Sequence, residues 1–118
     1  MTEKRFHVEH RPDEQRYVLI DRTADGREIG EESYVDVAGD DGATARVLFH
    51  TAIAADYGSQ GLASLLVQSV VDDVVARGYT IVPVCPYVAK WLPEHPQYDE
   101  HVVDPAPVHL AAVKDRQQ

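Results

Sequence analysis

The stretch that decides the fold is TARVLFHTAIAADYGSQGLASLLVQSVVDDVVARG, residues 44–78. Its first part, residues 44–53, is an almost continuous apolar run and predicts a strand buried on both faces. From Leu62 onward, apolar residues recur every four positions, which predicts an amphipathic helix over residues 62–77. Gly78, directly beyond, is a typical helix stop. The turn GSQG, residues 58–61, joins the two elements.

Alternating apolar and polar residues before residue 44 predict three further strands: RFHVEH (5–10), RYVLID (16–21) and EIGEESYVDV (28–37). Pro12 lies in the first connection, and Asp25-Gly26 in the second is a hairpin signal. After the helix, residues 79–85 (YTIVPVC) predict a fifth strand and residues 86–92 (PYVAKWL) a short second helix. The prediction is an α+β fold with a mixed sheet: antiparallel N-terminal strands, a helix, a parallel strand and a short C-terminal helix.

The length of 118 residues fits one domain. We assign residues 1–103 to it and expect residues 104–118, with two prolines and a charged end, to be a poorly ordered tail. No apolar run approaches the ~18 residues of a transmembrane helix, and the N-terminus lacks the apolar core of a signal peptide. We therefore expect a cytoplasmic protein without membrane contact, as a monomer or weak homodimer.

Charge and cysteine content exclude several classes of function. The net charge of −9 argues against nucleic-acid binding, which needs clustered Lys and Arg, and is compatible with a cationic partner such as an amine. Cys85 is the only cysteine, which excludes an intramolecular disulfide and a cysteine-based zinc cluster. The histidines show no helical metal-ligand spacing, so we expect no metal site.

The GSQG turn has two interpretations. A helix N-terminus leaves backbone N–H groups unpaired and attracts phosphate, so residues 58–61 are a candidate pyrophosphate cradle. The same residues also suit a plain connecting turn. The turn is not a P-loop, because no GK[ST] follows, and it lacks the context of the dinucleotide fingerprint.

Four motifs follow one another in order: His50-Thr51, Gln60-Gly61-Leu62-Ala63, Pro83-Val84-Cys85-Pro86-Tyr87 and His95-Pro96-Gln97-Tyr98. In this order and spacing, residues 48–98 resemble the small single-domain branch of the GNAT superfamily of N-acetyltransferases. The resemblance implies acetyl-CoA as co-substrate and transfer of its acetyl group to a primary amine. The acceptor would be a small molecule, a polyamine or a protein lysine.

The resemblance also implies where acetyl-CoA binds, between the fourth and fifth strands. Backbone N–H groups near Ile53 and Ala54 would hold the thioester carbonyl. The pyrophosphate would lie on the loop formed by Gly58, Ser59, Gln60, Gly61, Leu62 and Ala63. This loop typically reads Arg-Gly-Gln-Gly-Leu-Ala in the branch, whereas here Gly58 takes the Arg position and Ser59 the first Gly position. The loss of a positive side chain predicts weaker CoA binding.

Acetyl transfer needs a neutral amine, stabilisation of the carbonyl oxygen and a proton for the departing thiolate. Cys85 is a candidate proton donor, since an ordinary thiol has a pKa of about 8.5. As the cap of the following helix it would instead be a nucleophile that forms an acetyl-Cys85 intermediate. The alternative is a small buried apolar residue. Tyr87 is the second candidate donor.

His50 is a candidate general base because imidazole titrates near neutrality, unless it is a core histidine bonded to backbone. Glu31 and Glu32 are alternative bases or cation-binding groups, unless they are solvated charges; as neighbours on a strand, at most one of them faces a given cleft. Tyr87 and Trp91 lie on one helix face, where they either pack into the core or line an acceptor site.

Two rival functions remain. The first is a CoA-binding or protein-interaction module without turnover, favoured by the small size and by the altered loop. The second is a partner surface that binds no CoA and uses the sheet edges and the tail.

Overall fold

The protein is described by a computed structural model that covers residues 4–39, 41–58 and 61–118. Its strands form one sheet in the order β1-β2-β3-β4-β5, antiparallel except for the parallel pair β4 and β5. The strands are β1 (Phe6–Arg11), β2 (Arg16–Asp21), β3 (Arg27–Ala38), β4 (Thr44–Ile53) and β5 (Thr80–Pro83). The helices are α1 (Leu62–Ala76), α2 (Pro86–Trp91) and α3 (Pro107–Arg116).

The predicted α+β fold class is confirmed. The bounds of β2 and β4 are those predicted, and α1 ends one residue earlier than predicted, at Ala76. Asp25 and Gly26 both have positive φ (54° and 74°), as expected for a tight hairpin connection. The fifth strand is shorter than predicted: β5 ends at Pro83, and Cys85 belongs to the start of α2.

One face of the sheet packs against α1 and α2. The apolar residues of α1 that the four-residue repeat predicted, from Leu62 to Val74, are buried there. They meet Leu48 of β4 and Ile81 of β5 in the larger of two apolar clusters. Cys85 belongs to this cluster, so it lies on the α1 side of the sheet.

The other face of the sheet packs against α3, and the expectation of a poorly ordered tail was wrong. Val113 of α3 packs with Val47 of β4 and Val82 of β5. Pro107 stands in the first turn of α3, where the missing N–H costs nothing, and the Ala106 N–H donates to His109 Nδ1 (3.0 Å). The proline that suggested disorder therefore begins a helix. A domain boundary at residue 103 stays a prediction.

A buried arginine closes the end of the sheet where β4 begins. The guanidinium of Arg46 donates to both carboxylate oxygens of Asp36 (2.8 and 2.9 Å) and to the Tyr17 hydroxyl (2.8 Å). Its Cζ lies 4.0 Å from the centre of the Tyr34 ring. Because Arg46 stands on β4 and its partners stand on β2 and β3, the network connects three strands at the end remote from residue 53.

Candidate functional site

The pairing of β4 with β5 ends at Leu48. Its carbonyl accepts hydrogen bonds from the N–H groups of both Val84 (3.0 Å) and Cys85 (2.9 Å). The next N–H that a continued parallel ladder would use belongs to Pro86, which has none. Strand β4 runs on to Ile53 beside β3. The two parallel strands therefore part after Leu48 and leave an edge of β4 open.

An additional residue in β4 lies at the same point. The register with β3 moves from Ser33↔His50 to Tyr34↔Leu48, so Phe49 is extra. Such a bulge reverses which side chains face each side of the sheet. Without it, alternation from Leu48 would place His50 on the α1 face; with it, Thr51 lies there, and His50 is exposed.

Three polar side chains meet on the α1 face beneath this opening. The Thr51 hydroxyl donates to Glu32 Oε1, and its Oγ1 lies 3.2 Å from Cys85 Sγ. Glu32 is 0% exposed and Cys85 5% exposed. Within the described residues, Glu32 Oε2 has no hydrogen-bond partner. Cys85 stands at the N-cap of α2, as expected, but its side chain makes no capping hydrogen bond and contacts Thr51 instead.

Burial raises the pKa of Glu32 to about 8, although the Thr51 hydroxyl and the His50 backbone N–H lower it. Glu32 is therefore largely protonated at neutral pH. Its neighbour Glu31 is only half-buried and lies 3.5 Å from Arg16. As expected for adjacent strand residues, one of the two carboxyl groups faces the site, and it is Glu32.

The loop before α1 is fixed to β2 by a buried hydrogen bond. Tyr57, at the end of a 3₁₀ turn (Ala55–Tyr57), donates from its hydroxyl to Asp21 Oδ2 at 2.6 Å. Asp21 is fully buried and also accepts from Arg5 (3.1 Å). The hydrogen bonds from Arg5 and Tyr57 hold the pKa of Asp21 well below its usual range. Sequence reasoning missed this anchor, because its partners are 36 residues apart.

Gly61 begins α1 in the left-handed region, with φ of 70°, whereas Gly58 has φ of −67°. Within the described residues, no side chain caps the first turn of α1 and no acidic residue lies in it. Leu62 is buried and Ala63 half-buried. The other two residues of the predicted pyrophosphate loop, Ser59 and Gln60, lie outside the described residues.

The two backbone groups predicted to hold a thioester carbonyl differ. The Ala54 N–H donates to the Ile29 carbonyl (2.7 Å), so it is already used. Successive N–H groups of a strand point to opposite edges, so the Ile53 N–H points to the edge that β5 has left. Only the Ile53 group fits the expected role.

The aromatic residues near α2 have different environments. Trp91 is 4% exposed, donates to the Ser64 hydroxyl at 2.8 Å and stacks on His95 (3.6 Å between ring centres). Tyr98 is buried and donates to Asp72 (2.5 Å). Both pack α2 and the following turns onto α1. Tyr87, in contrast, is 40% exposed, and partial burial raises its pKa, so its hydroxyl keeps its proton.

A separate cavity of about 360 Å³ lies between β1 and α1, with Phe6, Tyr17 and Leu65 in its lining. It is lined by neither Thr51 nor Cys85. In residues 4–39, 41–58 and 61–118, no helix is long and apolar enough to cross a membrane. The same residues hold no group of His, Cys, Asp and Glu placed to bind a metal ion.

Comparison with known proteins points to one family. The sequence model of the family described as GCN5-related N-acetyl-transferase matches residues 16–102, more than half of the chain. A GCN5-like protein from Staphylococcus aureus has a similar structure, with a TM-score of 0.61, 17% identity and coverage of 91% of this chain and 97% of that one. No curated protein matches the sequence.

Two further structures are less similar. A ribosomal-protein-alanine N-acetyltransferase from Brucella melitensis has a TM-score of 0.52 and 22% identity over 80% of this chain and 67% of that one. An aminoglycoside acetyltransferase from an uncultured soil sample has a TM-score of 0.48 and 15% identity over 56% of this chain. The chain spans 42% of the length of that protein. At these identities the likeness concerns the fold alone.

Because the folded protein keeps the Glu32 proton up to pH about 8 and the unfolded chain loses it near 4.5, Glu32 makes stability fall as pH rises between these values. Glu32→Gln should therefore flatten the decline of the melting temperature from pH 5 to 8. Glu31→Gln, at the half-buried neighbour, is the matched control and should keep the decline. Equal slopes in the wild type and Glu32→Gln would contradict the burial of an ionisable Glu32.

Gly61→Ala should destabilise the protein by about 1 kcal/mol, because a β-carbon is strained at positive φ. Gly58→Ala is the control in the same loop; its φ is right-handed, and an added β-carbon would lie 3.4 Å from the Ala55 carbonyl. It should be neutral or stabilising. Urea unfolding measures both, and an equal loss of stability would show that the left-handed residue does not begin the helix.

Proposed function

This chain belongs to the GCN5-related N-acetyltransferase family, and on that premise we propose that it transfers the acetyl group of acetyl-CoA to a primary amine. The observation that carries the proposal is the parting of β4 and β5 after Leu48, next to the contact between Thr51 and Cys85. A co-substrate lying along the open edge of β4 would bring its thioester to the only thiol of the chain.

In this proposal the backbone binds most of the co-substrate. The pyrophosphate lies at the start of α1, on N–H groups of the loop formed by Gly58, Ser59, Gln60, Gly61, Leu62 and Ala63. Among the described residues no side chain caps the start of α1, which leaves its N–H groups available to an anion. The pantetheine arm follows β4, and the Ile53 N–H donates to the thioester oxygen. The Tyr57–Asp21 hydrogen bond supports this arrangement because it fixes the approach to the loop.

The chemistry that we propose is direct attack by the amine nitrogen on the thioester carbon. Negative charge then develops on the carbonyl oxygen, where the Ile53 N–H stabilises it. The C–S bond breaks, and Cys85 gives its proton to the departing CoA thiolate, with Tyr87 as the second candidate donor. In the alternative mechanism Cys85 takes the acetyl group first; mass spectrometry after mixing with acetyl-CoA distinguishes the two by an adduct on Cys85.

His50 as general base stays a prediction. It is exposed, and strand alternation places it on the face of the sheet opposite Thr51. The acceptor also stays open among a small amine, a polyamine and a protein lysine. The net charge of −9 favours a cationic acceptor over an anionic one, because it attracts the ammonium form to the protein.

A CoA-binding or protein-interaction module without turnover is the second candidate function. Gly58 favours it, since the loop lacks the positive side chain that relatives place beside the pyrophosphate. The protein would then bind CoA weakly and catalyse no acetyl transfer. A monomer or weak homodimer is compatible with either function.

Isothermal titration with acetyl-CoA, desulfo-CoA and adenosine diphosphate tests where the co-substrate binds. We expect saturable binding of all three ligands, because they share the pyrophosphate that the α1 loop would hold. We also expect the melting temperature to rise with the logarithm of the ligand concentration once that concentration exceeds the dissociation constant. Absence of both heat and stabilisation at millimolar ligand would refute a CoA site in this protein.

Gly58→Arg should raise the affinity for all three ligands by roughly fivefold, the effect of about 1 kcal/mol from one exposed ion pair. The backbone tolerates the change because Gly58 has a right-handed φ and the position is exposed. Gly58→Gln is the control, with a long side chain and no charge, and should bind as the wild type does. A gain shared by both variants, or by neither, would mean that no phosphate lies beside residue 58.

A further inference from the structure

Packing alone does not explain why an ionisable carboxyl group, that of Glu32, is buried behind Cys85. Glu32 is fully buried, and its Oε2 lacks a partner among the described residues, which costs stability. A glutamine or an apolar residue at this position would avoid the cost of burying an ionisable group. Its other oxygen, Oε1, accepts from the hydroxyl that contacts the Cys85 sulfur. The buried carboxyl group of Glu32 is thus connected to the Cys85 thiol by a single hydroxyl.

We propose that Glu32 and Thr51 form a buried proton relay that exchanges a proton with the Cys85 thiol. Once the thiol has given up its proton, the chain Cys85–Thr51–Glu32 has two arrangements of the hydrogens that remain. In one, the thiol S–H donates to Thr51 Oγ1 and the Thr51 O–H donates to the Glu32 carboxylate. In the other, the Glu32 carboxyl O–H donates to Thr51 Oγ1 and the Thr51 O–H donates to the thiolate. Because Glu32 and Thr51 act through Cys85, they are positioning residues for its proton.

The role of this relay in acetyl transfer rests on the function proposed above. When the C–S bond of the thioester breaks, the CoA thiolate takes the proton from Cys85 Sγ. The Thr51 hydroxyl proton then moves to Sγ, and the Glu32 carboxyl proton moves to Thr51 Oγ1. The step ends with free CoA thiol and a Glu32 carboxylate. The acceptor nitrogen releases one proton to water as the amide forms, and Glu32 takes one proton back, so the cycle balances.

The titrating groups beside Glu32 come from β2 and β3, and β4 contributes a backbone group. Glu31, next in sequence, raises the pKa of Glu32 through its charge, while the His50 backbone N–H on β4 lowers it. Tyr17 of β2 stands opposite Glu32, and burial raises its pKa to a value at which its hydroxyl keeps its proton. Burial brings the pKa of Glu32 to about 8, so its carboxyl group holds a proton that it can donate at neutral pH.

The first test is a pH titration of the Cys85 side chain by NMR. Since the chain has one cysteine, protein labelled with [3-¹³C]cysteine gives a single signal from its β-carbon. In the wild type we expect two steps about 1 pH unit or more apart, because the sulfur senses Glu32 as well as its own proton. Glu32→Gln should leave one step. Thr51→Val should shrink the Glu32 step by more than half, and Thr51→Ser should keep it.

The titration curves of the wild type and the three variants test whether the relay exists, and they need no co-substrate. Superimposable curves for the wild type and Glu32→Gln would overturn the proposal, and so would an undiminished Glu32 step in Thr51→Val. The Ser variant guards against a packing effect, because it keeps the hydroxyl and loses the methyl group. If wild-type protein neither binds acetyl-CoA nor transfers acetyl, the proposed function fails while the titration still decides whether the relay exists.

The second test is acetyl transfer with a saturating amine. Thr51→Val should lower kcat by about 100-fold, the usual worth of general acid catalysis, with the KM for acetyl-CoA unchanged. Thr51→Ser should restore most of kcat and the wild-type pH profile. A Val variant with unchanged kcat and pH profile would overturn the relay, as would a Ser variant no better than Val.

Discussion

The Leu48 carbonyl, which accepts from both Val84 and Cys85, is the contact on which the site depends. It ends the only parallel ladder in the described sheet, because Pro86 has no N–H with which to continue it. The same two bonds hold Cys85 just beyond β5, at the N-cap of α2. The bulge at Phe49 then rotates β4, so that Thr51 reaches the sulfur. The hydrogen bonds to this one carbonyl thus determine both where β4 and β5 part and where the Cys85 thiol lies.

Much of the fold follows from local patterns, because strand alternation, the four-residue repeat of α1 and the Asp25-Gly26 turn are short-range properties. The apolar run of β4 even predicted burial on both faces. The sequence does not reveal which element covers the second face, because the prolines of residues 104–118 suggest disorder, whereas Pro107 begins α3. A strand buried on both faces needs two layers, and the C-terminal residues supply the second.

The candidate site was harder to predict, because its geometry depends on one additional residue. The motif His50-Thr51 drew attention to the histidine, whereas the Phe49 bulge turns the threonine towards Cys85 and leaves the histidine exposed. Likewise, two buried carboxyl groups differ only through their neighbours. Hydrogen bonds from Arg5 and Tyr57 lower the pKa of Asp21, whereas burial raises the pKa of Glu32. Arg5 and Tyr57 are remote from Asp21 in sequence, and Thr51 is remote from Glu32.

Backbone amide NMR with acetyl-CoA tests the central claim, that the gap between β4 and β5 is the co-substrate site. The account predicts the largest shifts at Ile53, at the start of α1 (residues 61–63) and at Cys85, with little change along α3. Shifts confined to the cavity between β1 and α1, near Phe6 and Leu65, would contradict it. So would binding that leaves the Cys85 and Ile53 amides unchanged.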